Sequence, residues 1–327
     1  MKKILSLSLA FAIFLIPSLK PKSAPAESSK IERYLVVGFD DAAQNTDVIA
    51  VVTYDHFANR LTILQIPRDT YYRFGGFQNK LNQLYPHLLA GKTDRASKEN
   101  AMRALATAIS SMLGVKIDRY LGVSVADFEK LIDAMGGVSI FLEQPISYMD
   151  SESGESLVLH SGTHLLTGRQ SSAFVRYRIG YPRGDLGRID AQKTFISAML
   201  AKFAGGMPLS ALPSLLSTFR EHAVTDISIP HAFRCGLRFV SSYKATDIRY
   251  LTLPGEPCMH KGVSYYVVNR ASAEEAVSSW LCFGLDKAII DRDSLLFSES
   301  VANISEIYHR NSIPYFVYTD AELQHGS

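Results

Sequence analysis

Apolar positions follow two rhythms along this chain. In the first third they form compact runs: Arg33–Phe39 (RYLVVGF), Val48–Thr53 (VIAVVT) and Leu61–Ile66. Short apolar runs bounded by polar turns predict buried strands. Only short turns such as Tyr54–Arg60 separate them. That leaves no room for helical crossovers, so the first three strands are expected to pair partly antiparallel. Further on the rhythm lengthens. Across Lys98–Leu113 the residues Ala101, Leu105, Ala108, Ile109 and Met112 recur at helical spacing, and Gly114 stands where a C-cap belongs. Tyr120–Val125 predicts a strand, and Val138–Leu142 another. Between them Ala126–Met135 predicts a helix with Asp127 as its cap and Gly136-Gly137 as its stop. Thr167–Phe174, Asp190–Ala204, a segment near Leu209–Arg220, and Ala273–Phe283 predict helices. Arg249–Leu253 and Tyr265–Asn269 read as strands, and Asn79–Tyr85 (NKLNQLY) as a loop. Strands alternating with helices predict one α/β domain, residues 33–283, with a central mixed β-sheet flanked by helices. Residues 284–327 are less regular and read as a C-terminal tail.

The N-terminus has a different character. Lys2 and Lys3 precede an apolar and serine run from Ile4 to Ile16, Pro17 ends it, and Ala24-Pro25-Ala26 supplies small residues. Residues 1–26 match a secretory signal peptide, and the run is shorter than the roughly 20 residues that span a bilayer. Lys20 and Lys22 crowd the cleavage site, so retention as a short membrane anchor is the second reading. Both place the remainder outside the cytoplasm, beyond a linker at 27–32. The net charge of +2 over 327 residues excludes bulk nucleic-acid binding, so any anion recognition is local. Three cysteines, Cys235, Cys258 and Cys282, lie in the last third. In an exported chain two of them can pair, and at least one reads as a small buried apolar residue. No CxxC is present, so a thiolate metal site is not indicated.

Candidate chemistry concentrates in FVRYRIGYPRGDLGRIDAQ, residues 174–192. Arg176, Arg178, Arg183 and Arg188 fall close together, with Asp185 among them. In an extended strand Arg176 and Arg178 would share a face, a placement suited to an anion. Arginine's permanent charge and planar fork match phosphate. Interleaved Phe174, Val175, Tyr177, Ile179 and Leu186 argue against a merely solvated basic loop. Arg68 adds a further cation at the end of the third strand. Asp40 and Asp47 border adjacent strand ends, where α/β proteins place ligand groups. Two carboxylates can hold a hard cation such as Mg²⁺. Together these clusters outline a phosphoryl-transfer site. The chain has no GxxxxGK[ST] loop, no HExxH or zinc-spaced histidine pair, and no GxSxG. His56, His87, His160 and His164 are scattered and read as surface or packing residues.

Six motifs stand in order: GFD at 38–40, TDVIAVVTYD at 46–55, IPRDTY at 66–71, KLNQLY at 80–85, DAMGGVSI at 133–140 and VRYRIGYPRGDLGRIDAQ at 175–192. With Leu166–Gly168 and Leu253-Pro254-Gly255 they resemble the LytR–CpsA–Psr family in order and spacing, over roughly residues 33–270. The resemblance implies an α-β-α fold and a membrane-attached, extracytoplasmic phosphotransferase. Such an enzyme moves a glycopolymer from a polyprenyl-pyrophosphate carrier onto a peptidoglycan hydroxyl, with the lipid in an apolar pocket between sheet and helices. It further implies Asp40 and Asp47 as Mg²⁺ carboxylates. Arg68, Arg176, Arg178 and Arg188 would grip the pyrophosphate, with Gln192 in support. Asp40, then Asp69, would be the base. Lys80, Asn82, Arg183 and Asp185 complete the candidate substrate-binding set. The chain departs from the family pattern at Asn45-Thr46-Asp47-Val48, where Arg-Ser-Asp-Thr is common, and at Ala191-Gln192, where Arg-Gln is common. The site is therefore less basic than usual. The alternatives are hydrolysis of the same donor and a non-catalytic module that binds the lipid-linked polymer.

Overall fold

A computed structural model describes residues 31–40, 45–149, 156–177, 181, 183–205, 223–295 and 302–324. The candidate signal segment and the helix expected near 209–220 lie outside the described residues. Among the described residues no helix is long and apolar enough to cross a membrane.

The centre is a seven-stranded mixed sheet. Its first three strands are β1 (Ile31–Phe39), β2 (Thr46–Asp55) and β3 (Arg60–Gln65), joined antiparallel as the short turns require. A hairpin follows, β4 (Tyr71–Phe74) and β5 (Phe77–Lys80), then α1 (Leu84–Leu89) and α2 (Arg95–Leu113). The expected loop at 79–85 is thus the end of β5, a 3₁₀ turn at Leu81–Gln83 and the start of α1. β6 (Arg119–Ser124) lies parallel to β1. α3 (Val125–Ala134) follows it directly, capped by Ser124 rather than by Asp127. The hydroxyl of Ser124 accepts from the Asp127 amide, which puts Asp127 at the third helical position.

Next come β7 (Val138–Leu142), β8 (Ile146–Met149), β9 (Ser156–Leu159) and β10 (Gly162–Leu166), paired as two hairpin ladders outside the main sheet. α4 (Gly168–Arg176) opens with a capping box between Thr167 and Gln170. A Cβ at Gly168 would stand 2.1 Å from the Glu129 carbonyl oxygen, so only glycine lets α4 close on α3. α5 (Asp185–Ala204) begins five residues before its expected start. β11 (Val224–Thr225) pairs antiparallel with β6, and the helix α6 (Ile229–Ser242) and the parallel strand β12 (Asp247–Thr252, beside β3) complete the main layers. α7 (Arg270–Ala276) runs on into a π-helical turn at Val277–Leu281.

The two-residue alternation of the strands divides the core. Leu35, Val37, Ile49, Val51, Leu64 and Leu251 face α2 and α7. Ala50, Tyr54, Leu61, Ile63, Ile248 and Tyr250 face α5 and α6. A one-residue slip of β2 would exchange the two faces. The segment after Gly284 is built into this frame. Val317–Thr319 pairs with β12 as the sheet's edge strand, and Ile290, Leu295, Ile304 and Tyr308 enter the α2-side core. Cys258 and Cys282 are buried, and all three cysteines are free thiols. The pairing open to an exported chain is absent here.

Candidate active site

Because β1 and β2 are antiparallel, β1 ends where β2 begins. Phe39 faces Thr46 across a register shift at Gly38/Phe39. Asp40 and Asp47 therefore leave the sheet at the same end. β6 and β12 run parallel to β1 and β3, so the carboxyl ends of all four strands gather there, where open α/β sheets bind ligands. The two carboxylates have different partners. Asp40 accepts from the Asn45 backbone amide at 3.0 Å and from the Asn45 side-chain amide at 3.1 Å. Asp47 accepts from Arg68.

Arg68 stands just past the Pro67 that ends the β3 run. Besides Asp47, its guanidinium lies 3.8 Å from Asp185 and 3.9 Å from Asp69. Burial disfavours its charge, but Asp47, Asp185 and Asp69 outweigh that and raise its pKa. The chain then folds back on itself: the Leu81 amide donates to Thr70 and the Asn82 amide to Arg68. This return brings Lys80 to 3.3 Å from Asp69. The buried side-chain oxygen of Asn82 has no hydrogen-bond partner among the described residues.

α5 supplies the other wall. Gly184 starts it at φ 55°, a left-handed value that favours glycine. Asp185 is the first helical residue and pairs with Arg188 at 2.9 Å. Arg188 is only 2% exposed. One turn on, Gln192 donates to the Val175 carbonyl at 2.9 Å and accepts from Gln65 at 3.0 Å. Gln192 thus ties α5 to the ends of α4 and β3, a supporting position for Arg188.

Arg68, Asp69, Lys80, Asp185 and Arg188 thus form one ion-pair network with Asp47, and Gln192 braces it. Arg176 is the last residue of α4 and Tyr177 its extended C-cap. The helix expected over Thr167–Phe174 thus runs two residues further, and Arg176 stands on a helix end rather than in an extended strand. Arg178 lies outside the described residues. Arg183 is not part of the network: it is exposed and pairs with Asp190 at 3.0 Å. Sequence reasoning missed Gln65 and Lys193. Lys193 is buried, pairs with Asp190 at 2.9 Å and lies 4.9 Å from the Tyr318 ring centre. Burial lowers its pKa against the opposing pull of Asp190. No linear signal marks either residue.

A cleft of about 1040 Å³ begins beside Tyr177 and follows α5 from Gly187 to Lys202. That stretch of helix is about 22 Å long at 1.5 Å per residue. Its opposite wall is β7 with the Glu143–Ile146 turn, and Leu323 lines its far end. Phe141 and Leu165, 58% and 62% exposed, lie along it. Of the helices read over Lys98–Leu113 and Asp190–Ala204, the second, within α5, lines this cleft. α2 instead buries Met102, Leu105, Ile109 and Met112 in the core. At the sheet end, Asp40 and Asp47 offer only oxygen ligands. That donor set fits a hard ion such as Mg²⁺, which uses one or two carboxylates and keeps its waters. An ion there would share or replace the bonds to Asn45 and Arg68.

The chain is similar to Biofilm regulatory protein A of Streptococcus mutans, 26% identical over 68% of this chain and 54% of that protein. It thus spans about half the length of that relative. It is 25% identical to a polyisoprenyl-teichoic acid–peptidoglycan teichoic acid transferase TagU of Bacillus mycoides, over 78% of this chain and 79% of that one. Among solved structures, protein gbs0355 of Streptococcus agalactiae superposes with a TM-score of 0.67 at 23% identity, covering 84% of this chain and 93% of that one. TagT bound to LI-WTA superposes at 0.60 and 20% identity, covering 80% and 93%. These likenesses share the mixed sheet and its helices. The LytR_cpsA_psr family pattern matches residues 19–279, well over half of the chain, and the protein belongs to the LytR_cpsA_psr family.

Proposed function

We propose that this protein is an extracytoplasmic phosphotransferase working at the membrane surface. It moves a glycopolymer from a polyprenyl-pyrophosphate carrier onto a peptidoglycan hydroxyl. The observation that carries this reading is one helix, α5, that holds Arg188 in the ion-pair network around Arg68 and also lines a long, mainly apolar cleft. A lipid pyrophosphate has the same two parts. The TagU relative, named for transfer of teichoic acid to peptidoglycan, supports the reaction class.

Arg68 and Arg188 neutralise pyrophosphate charge, with Arg176 contributing from the α4 end and Arg178 assigned to the same role by the family resemblance. Gln192 and Gln65 hold Arg188's helix against the sheet. Asp40 and Asp47 would hold Mg²⁺, which would supply further charge neutralisation at the departing phosphate. The acceptor hydroxyl oxygen bonds to the phosphorus that carries the polymer. The bond to the bridging oxygen breaks, and polyprenyl phosphate leaves. Asp40, with Asp69 as the alternative, accepts the hydroxyl proton, a role worth about 10²–10⁴-fold.

The test uses a lipid-pyrophosphate-linked saccharide and Mg²⁺, with and without peptidoglycan fragments. Product covalently attached to the fragments is expected, and Asp40→Ala should abolish it while weakening Mg²⁺ binding. Equal release of saccharide phosphate without acceptor would instead establish hydrolysis. Tight donor binding without turnover would establish a binding module.

A further inference from the structure

At the opposite end of β1 a second polar cluster has no part in the phosphate network. Glu32, near the start of β1, opposes Tyr54 in the β1–β2 register, and His56 follows just past β2. α6 crosses this corner and places His231 and Cys235 one helical turn apart above Glu32. Glu32 is 8% and His231 5% exposed. We propose that Glu32, His231 and Cys235 form a structural zinc site, with the fourth position open to a water.

The geometry carries the assignment. Glu32 Oε2 lies 3.5 Å from His231 Nε2 and 3.8 Å from Cys235 Sγ, and the His231–Cys235 separation is 3.5 Å. A tetrahedral zinc with bonds of about 2.0–2.1 Å to N and O and about 2.3 Å to S has ligand–ligand edges of about 3.4–3.6 Å. The observed triangle therefore fits one ion with shifts of a few tenths of an ångström. His56 Nε2 sits 2.7 Å from the same Glu32 oxygen and is placed to hydrogen-bond the carboxylate from outside the triangle. The Tyr34 hydroxyl lies 2.7 Å from Glu32 Oε2, 2.9 Å from His231 Nε2 and 3.5 Å from Cys235 Sγ, so it caps the triangle and would give up its bond to His231 when that nitrogen takes the ion.

Charge and ligand type agree. A carboxylate and a thiolate with a neutral imidazole balance a divalent ion, so the filled site is neutral in its buried corner. An ion that binds Cys235 as thiolate displaces the thiol proton. Sulfur and imidazole select zinc over magnesium. Eight residues of strand, about 26 Å, separate Glu32 from Asp40, which makes the role structural: the ion would pin α6 to the β1–β2 corner. The sequence signal is His231 and Cys235 at i,i+4, which a search for CxxC or histidine pairs passes over.

The experiment titrates the chelator-treated full chain with Co²⁺ and then Zn²⁺. One Co²⁺ per chain is expected, with tetrahedral visible bands and a sulfur-to-cobalt band that one equivalent of Zn²⁺ removes. Cys235→Ser should lose the sulfur band and His231→Ala the tight binding. Cys258→Ser and Cys282→Ser should keep both. Because the Cys235 variant can fail to fold, X-ray absorption of the zinc-loaded wild type decides independently: one sulfur at about 2.3 Å is required. Absence of sulfur from that shell, or a sulfur band that survives in Cys235→Ser, would overturn the site and leave a hydrogen-bonded cluster only.

Discussion

Replacing Arg188 by methionine keeps most of the side chain's apolar stem and removes only the guanidinium. Breaking a buried ion pair from one side typically costs about 3–5 kcal/mol, because the surviving charge is stranded. Here the survivor is better placed. Asp185 is 26% exposed at its side chain and retains Arg68 at 3.8 Å. It also sits at the N-terminus of α5, where a carboxylate is favoured. These compensations reduce the expected destabilisation to about 1–3 kcal/mol relative to that range. Neutralising the survivor in Asp185→Asn/Arg188→Met should recover most of the loss. Catalysis should follow a different rule, since the guanidinium is proposed to meet developing phosphate charge. Losing one such preorganised donor costs about 10²–10³ in turnover, and neither variant should regain it. Denaturant unfolding measures the first effect and the acceptor-dependent transfer assay the second. A folded Arg188→Met enzyme with wild-type turnover would refute the proposed contact with phosphate. A double variant as unstable as the two single losses combined would refute the stranded-charge account.

Ala198 lines the cleft along α5, so Ala198→Trp should obstruct long polyprenyl donors while sparing short-chain analogues. Equal loss on both, measured as kcat/KM, would show that the cleft does not hold the lipid. Asp55 gives an acid-stability prediction. Burial raises its carboxyl pKa, but Arg60 and the amides of Ala58 and Phe57 outweigh burial and bring it below the ordinary carboxylate range. Its stabilisation is therefore present above about pH 3.9, the unfolded value, and is lost as pH falls through the lowered folded value. Asp55→Asn should flatten that part of the acid unfolding profile, and an unchanged slope would sink the assignment.

The sheet was legible because compact apolar runs leave few choices of secondary structure. Val48–Thr53 and Leu61–Ile66 lie too close for a crossover, and β2 and β3 pair antiparallel as that spacing demands. The motif residues also converge, since strand ends concentrate Asp40, Asp47 and Arg68 at one edge. Periodicity said less about where α4 stops. The spacing of apolar residues ends the helix at Phe174, yet the helix opened by the Thr167–Gln170 capping box reaches Arg176. Arg183 looked equivalent to Arg188, but the left-handed Gly184 turns the chain between them. One arginine faces Asp190 outside and the other is buried. Gln65, Lys193 and the Glu32 corner depend on partners far away in sequence, which no local pattern encodes. Val317–Thr319 went unread because three residues at a sheet edge are too few to establish a period.

The ion pairs around Arg68 have a further consequence. Asp47, Asp69 and Asp185 face Arg68, Lys80 and Arg188 in a branched chain of ion pairs whose positive and negative members match in number. These six residues carry no net charge to attract an incoming anion. Under the proposed function pyrophosphate enters by exchange, taking Arg68 away from a carboxylate that already pairs with it. The resting site then competes with its donor, and Asp47 is the competitor bonded to Arg68. Asp47→Asn should accordingly bind inorganic pyrophosphate more tightly than the wild type by calorimetry in metal-free buffer, even as transfer is lost. Weaker binding in that variant would mean that Asp47 helps to hold the anion rather than keeping its place.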